Sequence, residues 1–179
     1  TWILNLRTSN KAIDTSADFS LLFLINLIIW FSAFWIVFPD ILIDPTSGIH
    51  ISPVGVIDVM YGFIKYAISE QKQLLGICYG AEILNQTQNG TIKKYNKRVH
   101  GEETVIVEKK NEICQNKINV FESHRWEISQ LGKELHNLAS SKSCKYEIIK
   151  HNSLNIFGTQ FHPEMSTDGQ NMIAAFLSL

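Results

Sequence analysis

The stretch "LLGICYGAEIL", residues 74–84, sets a cysteine between two glycines, Gly76-Ile77-Cys78-Tyr79-Gly80. An apolar run precedes it and helical apolar spacing follows. A strand that turns abruptly into a helix forces the turn residue into a strained backbone conformation, and side chains two residues to either side collide. Gly-x-nucleophile-x-Gly removes that collision. The turn lifts the Cys78 thiol to the carboxyl edge of a sheet, where α/β folds place their sites. The following helix points its N-terminus at the sulfur, so its free N–H groups and dipole predict a stabilised thiolate. The Tyr79 backbone N–H is placed to donate to a developing oxyanion. Residues 76–80 alone leave an alternative, a small buried cysteine in a glycine-rich turn.

A base decides between the two, and "GTQFHPE", residues 158–164, supplies one. In a strand-like run, side chains alternate, so His162 and Glu164 project to the same side. Glu164 then bonds one ring nitrogen and leaves the other for a thiol. That is a Cys-His-Glu triad in the roles of nucleophile, general acid/base and orienting group. Pro163 fixes the backbone between them. By itself His-x-Glu is a common exposed strand end.

Around these two stretches the pattern is that of an α/β domain. "WILNL" at 2–6, part of 31–38 and "DILID" at 40–44 read as buried strands, with a first helix within 11–30. "DPTSGIHISPVG" at 44–55 is loop chemistry. Residues 56–70 and 80–88 carry helical spacing, and "QLLGI" at 73–77 is a short buried strand. In the second half, "ETVIVEK", "KINVFES", "YEIIKH" and "NIFGTQFHPE" are β-like runs between polar turns, and 168–178 a closing helix. The expectation is a single domain over 1–179. Its sheet is doubly wound, mostly parallel and flanked by helices, with a smaller antiparallel extension in the C-terminal half.

Composition excludes several classes. The 179 residues carry a net charge of −1, so no global field attracts nucleic acid or an anionic membrane. Three cysteines, Cys78, Cys114 and Cys144, are odd in number and far apart, without metal-ligand spacing. Neither metal nor cofactor is expected, and a reducing, cytoplasmic setting fits best. "LLFLINLIIWFSAFWIVF" at 21–38 has only Asn26 and Ser32 as polar members, just reaching the length of a membrane span. Asp18 and Asp40 flank it and no Lys/Arg cluster orients it. It is expected to be buried within the α/β core.

The pairing of "GICYG" with "GTQFHPE" resembles the class I glutamine amidotransferases, and the resemblance runs from about residue 40 to the end. It implies that Cys78 attacks the side-chain amide of glutamine, with His162 as acid/base and Glu164 orienting it. Ammonia leaves, a γ-glutamyl thioester forms, and water releases glutamate. The ammonia passes to an ATP-dependent synthetase, here expected as a separate subunit. "RVHGEETVIVEKKNEI" at 98–113, "FESHRWEI" at 121–128 and "STDGQNMIAAFL" at 166–177 look most like the stand-alone amidotransferase subunit of GMP synthase. By that likeness Ser123 and His124 lie near the glutamine. The family shows Ser-His-Gly-Asp where this chain has Ser123-His124-Arg125-Trp126. It commonly has a Gly-Gly-Pro turn giving the second oxyanion N–H; here Gly48 is the candidate. It usually has Gln where this chain has Glu82, which places Glu82 among the substrate-binding candidates. Two rival readings stand beside this one. One is a γ-glutamyl peptidase or hydrolase using the same triad; the other is a catalytically quiet binding module that kept the fold.

Overall fold

The computed structural model describes residues 53–179. The strands expected at 2–6, 31–38 and 40–44, the first helix, the apolar run 21–38 and Gly48 all lie outside them. Helix α1 spans Pro53–Ser69 and starts at a proline, whose missing N–H costs nothing in a first turn. It leads to β1 (Leu74–Ile77), α2 (Tyr79–Thr87), β2 (Thr91–Val107), β3 (Lys117–Gln130) and β4 (Leu135–Ser140). Then come β5 (Ile148–His151), β6 (Ile156–Thr159), a 3₁₀ turn Pro163–Met165, and α3 (Thr167–Phe176).

The six strands form one sheet in the order β1-β6-β5-β4-β2-β3. β1 and β6 are parallel, with Gly76 opposite Gly158 and Ile77 opposite Thr159. The other four pairings are antiparallel. Among the described residues the antiparallel part is therefore the larger, not a small extension. The cause is connection length: β2 through β6 are joined by short polar turns, and only a helical crossover can return a strand parallel. The sheet curls, and Phe121 of β3 bridges back to His162 just beyond β6.

Strand alternation feeds two cores. Leu75, Ile77, Ile148 and Phe157 pack with Met172 and Phe176 of α3 on one face. Leu74, Ile149 and Ile156 pack with Ile83 and Leu84 of α2 on the other, and Ile64 and Ala67 of α1 close that side. Helix α2 sits between sheet and α1, so Gly80 through Asn85 are all buried. It lies so close to β1 and β6 that glycine is required beneath it. A Cβ on Gly76 would stand 2.8 Å from the Gly80 backbone, and one on Gly158 would stand 2.9 Å from Ala81 Cβ. Asn85 ties α2 to the hairpin ends: its amide donates to the carbonyls of Thr91 and Gln130 and its oxygen accepts from Gly132 N–H.

Candidate active site

Cys78 is the residue between β1 and α2, with φ 50° and ψ −105°. For a residue with a side chain that conformation costs ~1–3 kcal/mol. Its N–H donates to Thr159 O at 2.7 Å, and its carbonyl accepts from Ala81 and Glu82 as the helix begins. The strained elbow expected from Gly76-x-Cys78-x-Gly80 is thus present, seated at the carboxyl ends of two adjacent parallel strands.

The expected lowering of the Cys78 thiol pKa is outweighed. Cys78 is half-buried as a residue, yet its thiol is crowded enough that burial pushes it well above the ordinary thiol range. The carboxylate of Glu82 pushes the same way, and Glu122 and Glu164 add to it. The Tyr79 backbone N–H donates toward the sulfur and pulls back only part of this. The helix end therefore acts in the expected direction but loses to desolvation and a surrounding negative field.

His162 is buried, and its Nδ1 lies 2.8 Å from Glu164 Oε1. A carboxylate only accepts, so Nδ1 carries a proton and Nε2 is the nitrogen turned away from Glu164. Nε2 is buried with no hydrogen-bond partner among the described residues. The pairing is as expected, but strand alternation does not produce it. Pro163 starts a 3₁₀ turn, Pro163–Met165, directly after His162. Within that tight turn Glu164 reaches back to the ring two residues earlier. His162 is held from the other side by its N–H, which donates to Phe121 O at 2.9 Å.

The remaining candidates divide. Glu82 is buried, not open to solvent, and its Oε1 accepts from Gln160 Nε2 at 3.1 Å. Burial raises its pKa, while Gln160 and the His124 ring oppose the rise. Ser123 is half-buried and its Oγ accepts from Arg98 Nη2 at 2.6 Å. His124 is buried, with Nδ1 2.8 Å from the Trp126 carbonyl and Nε2 3.2 Å from Glu122 Oε2. Both ring nitrogens are thus turned inward. Among the buried residues that escaped the sequence reading are Gln160, Glu122 and Glu147. The first two lie inside stretches already singled out, within two positions of the histidine that drew attention. Glu147 carried no signal. Among the described residues no three His, Cys, Asp or Glu side chains gather as a metal-binding set.

The sequence profile of the class-I glutamine amidotransferases matches residues 40–178. This chain belongs to that family. Its curated relatives include a subunit of the glutamine-hydrolyzing GMP synthase of Methanocaldococcus jannaschii, 29% identical over 123 residues. That match covers 67% of this chain and 65% of the relative. The corresponding GMP synthase subunit of Pyrococcus abyssi is 31% identical over 111 residues, covering 59% of each. Among solved structures, a protein proposed as a GMP synthase subunit from Thermoplasma acidophilum superposes with a TM-score of 0.62 at 28% identity. It covers 68% of this chain and 64% of that one. A Thermotoga maritima glutamine amidotransferase, 17% identical with a TM-score of 0.56, shares the fold. The chain spans less than two thirds of the length of these GMP synthase relatives. Of the amidotransferase features, the elbow and the His-Glu pair lie in the described residues, and no described helix is long and apolar enough to cross a membrane.

Proposed function

We propose that this chain is a glutaminase. In this reading Cys78 is the nucleophile, His162 the acid/base and Glu164 the group that orients it. The observation that carries it is the joint placement at one sheet edge. A strained cysteine elbow ends β1, and a carboxylate-oriented imidazole with an unused Nε2 follows the neighbouring β6. The Cys78 proton passes to His162 Nε2 as sulfur attacks the glutamine amide carbon. The Tyr79 N–H stabilises the oxyanion, with Gly48 proposed as the second donor. The imidazolium returns the proton to the leaving ammonia, and water then hydrolyses the γ-glutamyl thioester.

Ser123 and His124 belong to the glutamine-binding segment, Ser123 by its side chain and His124 by shaping the strand. The likeness to subunits of GMP synthase supports an ATP-dependent synthetase as the acceptor of ammonia and nucleotide synthesis as the setting. One domain with a doubly wound sheet is the architecture we propose for it. A quiet binding module is the second reading, favoured by one feature: burial, reinforced by the nearby carboxylates, pushes the Cys78 thiol well above the ordinary thiol range. Glutamate release from glutamine separates them. Cys78→Ala should abolish it, while Cys114→Ser and Cys144→Ser retain it. Full hydrolysis by Cys78→Ala would remove the triad, and no hydrolysis by the wild type, alone or with a synthetase, would favour the quiet module.

A further inference from the structure

Glu122 and His124 alternate onto the same buried face of β3, each 1% exposed at the side chain. The His124 Nδ1 faces the Trp126 carbonyl at 2.8 Å. A carbonyl only accepts, so Nδ1 carries a proton. Nε2 lies 3.2 Å from Glu122 Oε2, within ion-pair range though off the line of a hydrogen bond. The pair therefore holds one further proton between an imidazole and a carboxylate. Removing it would set a lone pair against a buried negative charge.

Other titratable groups face this pair from every side. Glu147, just before β5, is fully buried beside Glu122 with both oxygens unpartnered. Glu82 contributes its field from α2, and the Tyr95 ring of β2 stands 6.3 Å from the imidazole. Cys144 lies on the same side, near Glu147 and Glu122. Burial lowers the His124 pKa, but Glu122, the Trp126 carbonyl and Glu82 together outweigh it and the net direction is upward. Burial, then the neighbouring Glu122, push the Glu147 pKa far up, which favours its neutral acid form.

The location gives the pair its consequence. Lys94 pairs with Trp126 and Val99 with His124, so residues 95–98 stand opposite Arg125 alone and the β2–β3 ladder is interrupted. Glu122, His124 and Trp126 run along β3 across that gap. Phe121, one residue earlier, is the carbonyl that holds the His162 N–H.

We propose that Glu122 is a positioning residue. Through its buried ion pair with His124 it holds β3 residues 121–126 in the shape that seats His162 and presents Ser123. The catalytic part of this rests on the glutaminase reading, so the test has an arm that needs no activity.

Glutamine hydrolysis is measured against pH for the wild type, Glu122→Ala and Glu122→Gln. The His124 imidazole titration and His162 amide exchange are followed by NMR. Glu122→Ala should lower kcat ~10-fold or more while KM stays within ~3-fold, as a misplaced base does. Its His162 N–H should exchange ~10-fold faster. In Glu122→Gln the amide N–H donates to Nε2 of a neutral His124, so geometry survives without the extra proton. That variant should keep most of kcat and lose the part of the high-pH fall that belongs to the pair. Its His124 should titrate about one unit or more below wild type. Wild-type kcat and pH profile in Glu122→Ala would overturn the proposal, as would an unchanged His124 titration in Glu122→Gln or unchanged His162 exchange. If the wild type hydrolyses no glutamine, the parent reading fails, and the titration and exchange still decide the positioning claim.

Discussion

The backbone at Cys78 can be weighed directly by comparing Cys78→Gly with Cys78→Ala. Both lack the sulfur, so neither difference in nucleophilicity nor in thiol burial enters. What remains is the elbow at φ 50°, ψ −105°. Alanine keeps the strain of ~1–3 kcal/mol, and glycine, free to occupy positive φ, relieves it. Against this, glycine costs about 0.5–1 kcal/mol through the greater freedom of the unfolded chain. It also gives up the burial of one methyl group, at most ~0.8 kcal/mol and less at a half-buried position. An elbow strained by ~2–3 kcal/mol therefore leaves Cys78→Gly about 1 kcal/mol the more stable.

Urea unfolding reads the difference. With m near ~2 kcal/mol/M, the glycine variant should unfold at a midpoint ~0.5 M higher. Both variants should be inactive toward glutamine. A glycine variant less stable than the alanine one would show that the strain stored at the elbow is smaller than the two opposing costs together, and the claim of an elbow strained by ~2–3 kcal/mol would fall. Equal stability would place the strain at the low end, near the sum of the two opposing costs.

Two further outcomes follow from buried contacts. Gly76→Ala puts a Cβ 2.8 Å from the carbon and oxygen of Gly80 and 3.0 Å from Ala81 N, all backbone, where ordinary contact begins at 3.4 Å. Overpacking of this kind costs ~1–3 kcal/mol, seen as a lower urea midpoint, and by tilting α2 it should also lower kcat. Glu82→Gln concerns pH. Burial raises the Glu82 pKa above its ordinary 4.5, so between the unfolded and folded values the folded state keeps a proton that the unfolded chain has released. Stability conferred by the neutral form is lost as pH rises through that window. The glutamine variant, still able to accept from Gln160, should be more stable than wild type at neutral pH, with the gap closing as pH falls toward 4.5 and KM unchanged. A KM that falls with no gain in stability would return Glu82 to the glutamine pocket.

The elbow was legible because its constraint is local. Two glycines flanking one cysteine between an apolar run and a helical pattern admit few backbones, and α2 and β1 follow within a residue or two of expectation. The His162–Glu164 pair was legible as a pair but not as geometry, because a proline can end a strand as readily as it stiffens one. The first half of β2, "TIKKYNKRVHGE", gave no strand signal. It is mostly exposed, so neither face needs apolar residues and alternation has nothing to record. β4, only six residues long and mixing polar with apolar on both faces, was missed for a similar reason. The state of the thiol was not legible at all. Helix dipole and neighbouring N–H groups are properties of the local turn, and sequence displays them. Desolvation and the charges of Glu82, Glu122 and Glu164 arrive from α2, β3 and the turn after β6, and only the curl of the sheet brings them together.

That acidic surround changes how a cysteine here would have to react. Burial first, and then the carboxylates of Glu82, Glu122 and Glu164, disfavour a thiolate formed in advance at Cys78. On the proposed glutaminase reading, proton transfer from sulfur to His162 Nε2 then belongs in the same step as attack on the carbonyl. The new charge moves at once onto the oxygen facing the Tyr79 N–H. The same field favours the transient imidazolium, which is the only positive species the step creates. It discriminates at the end as well. Glutamine presents a neutral side-chain amide, but the product presents a second carboxylate at that position, and like charge in a poorly solvated site is worth ~1–2 kcal/mol or more. Product glutamate should accordingly be a much weaker ligand than glutamine. If glutamate inhibits with a constant near the KM for glutamine, the carboxylates are screened from the scissile position and this account of the acidic surround fails.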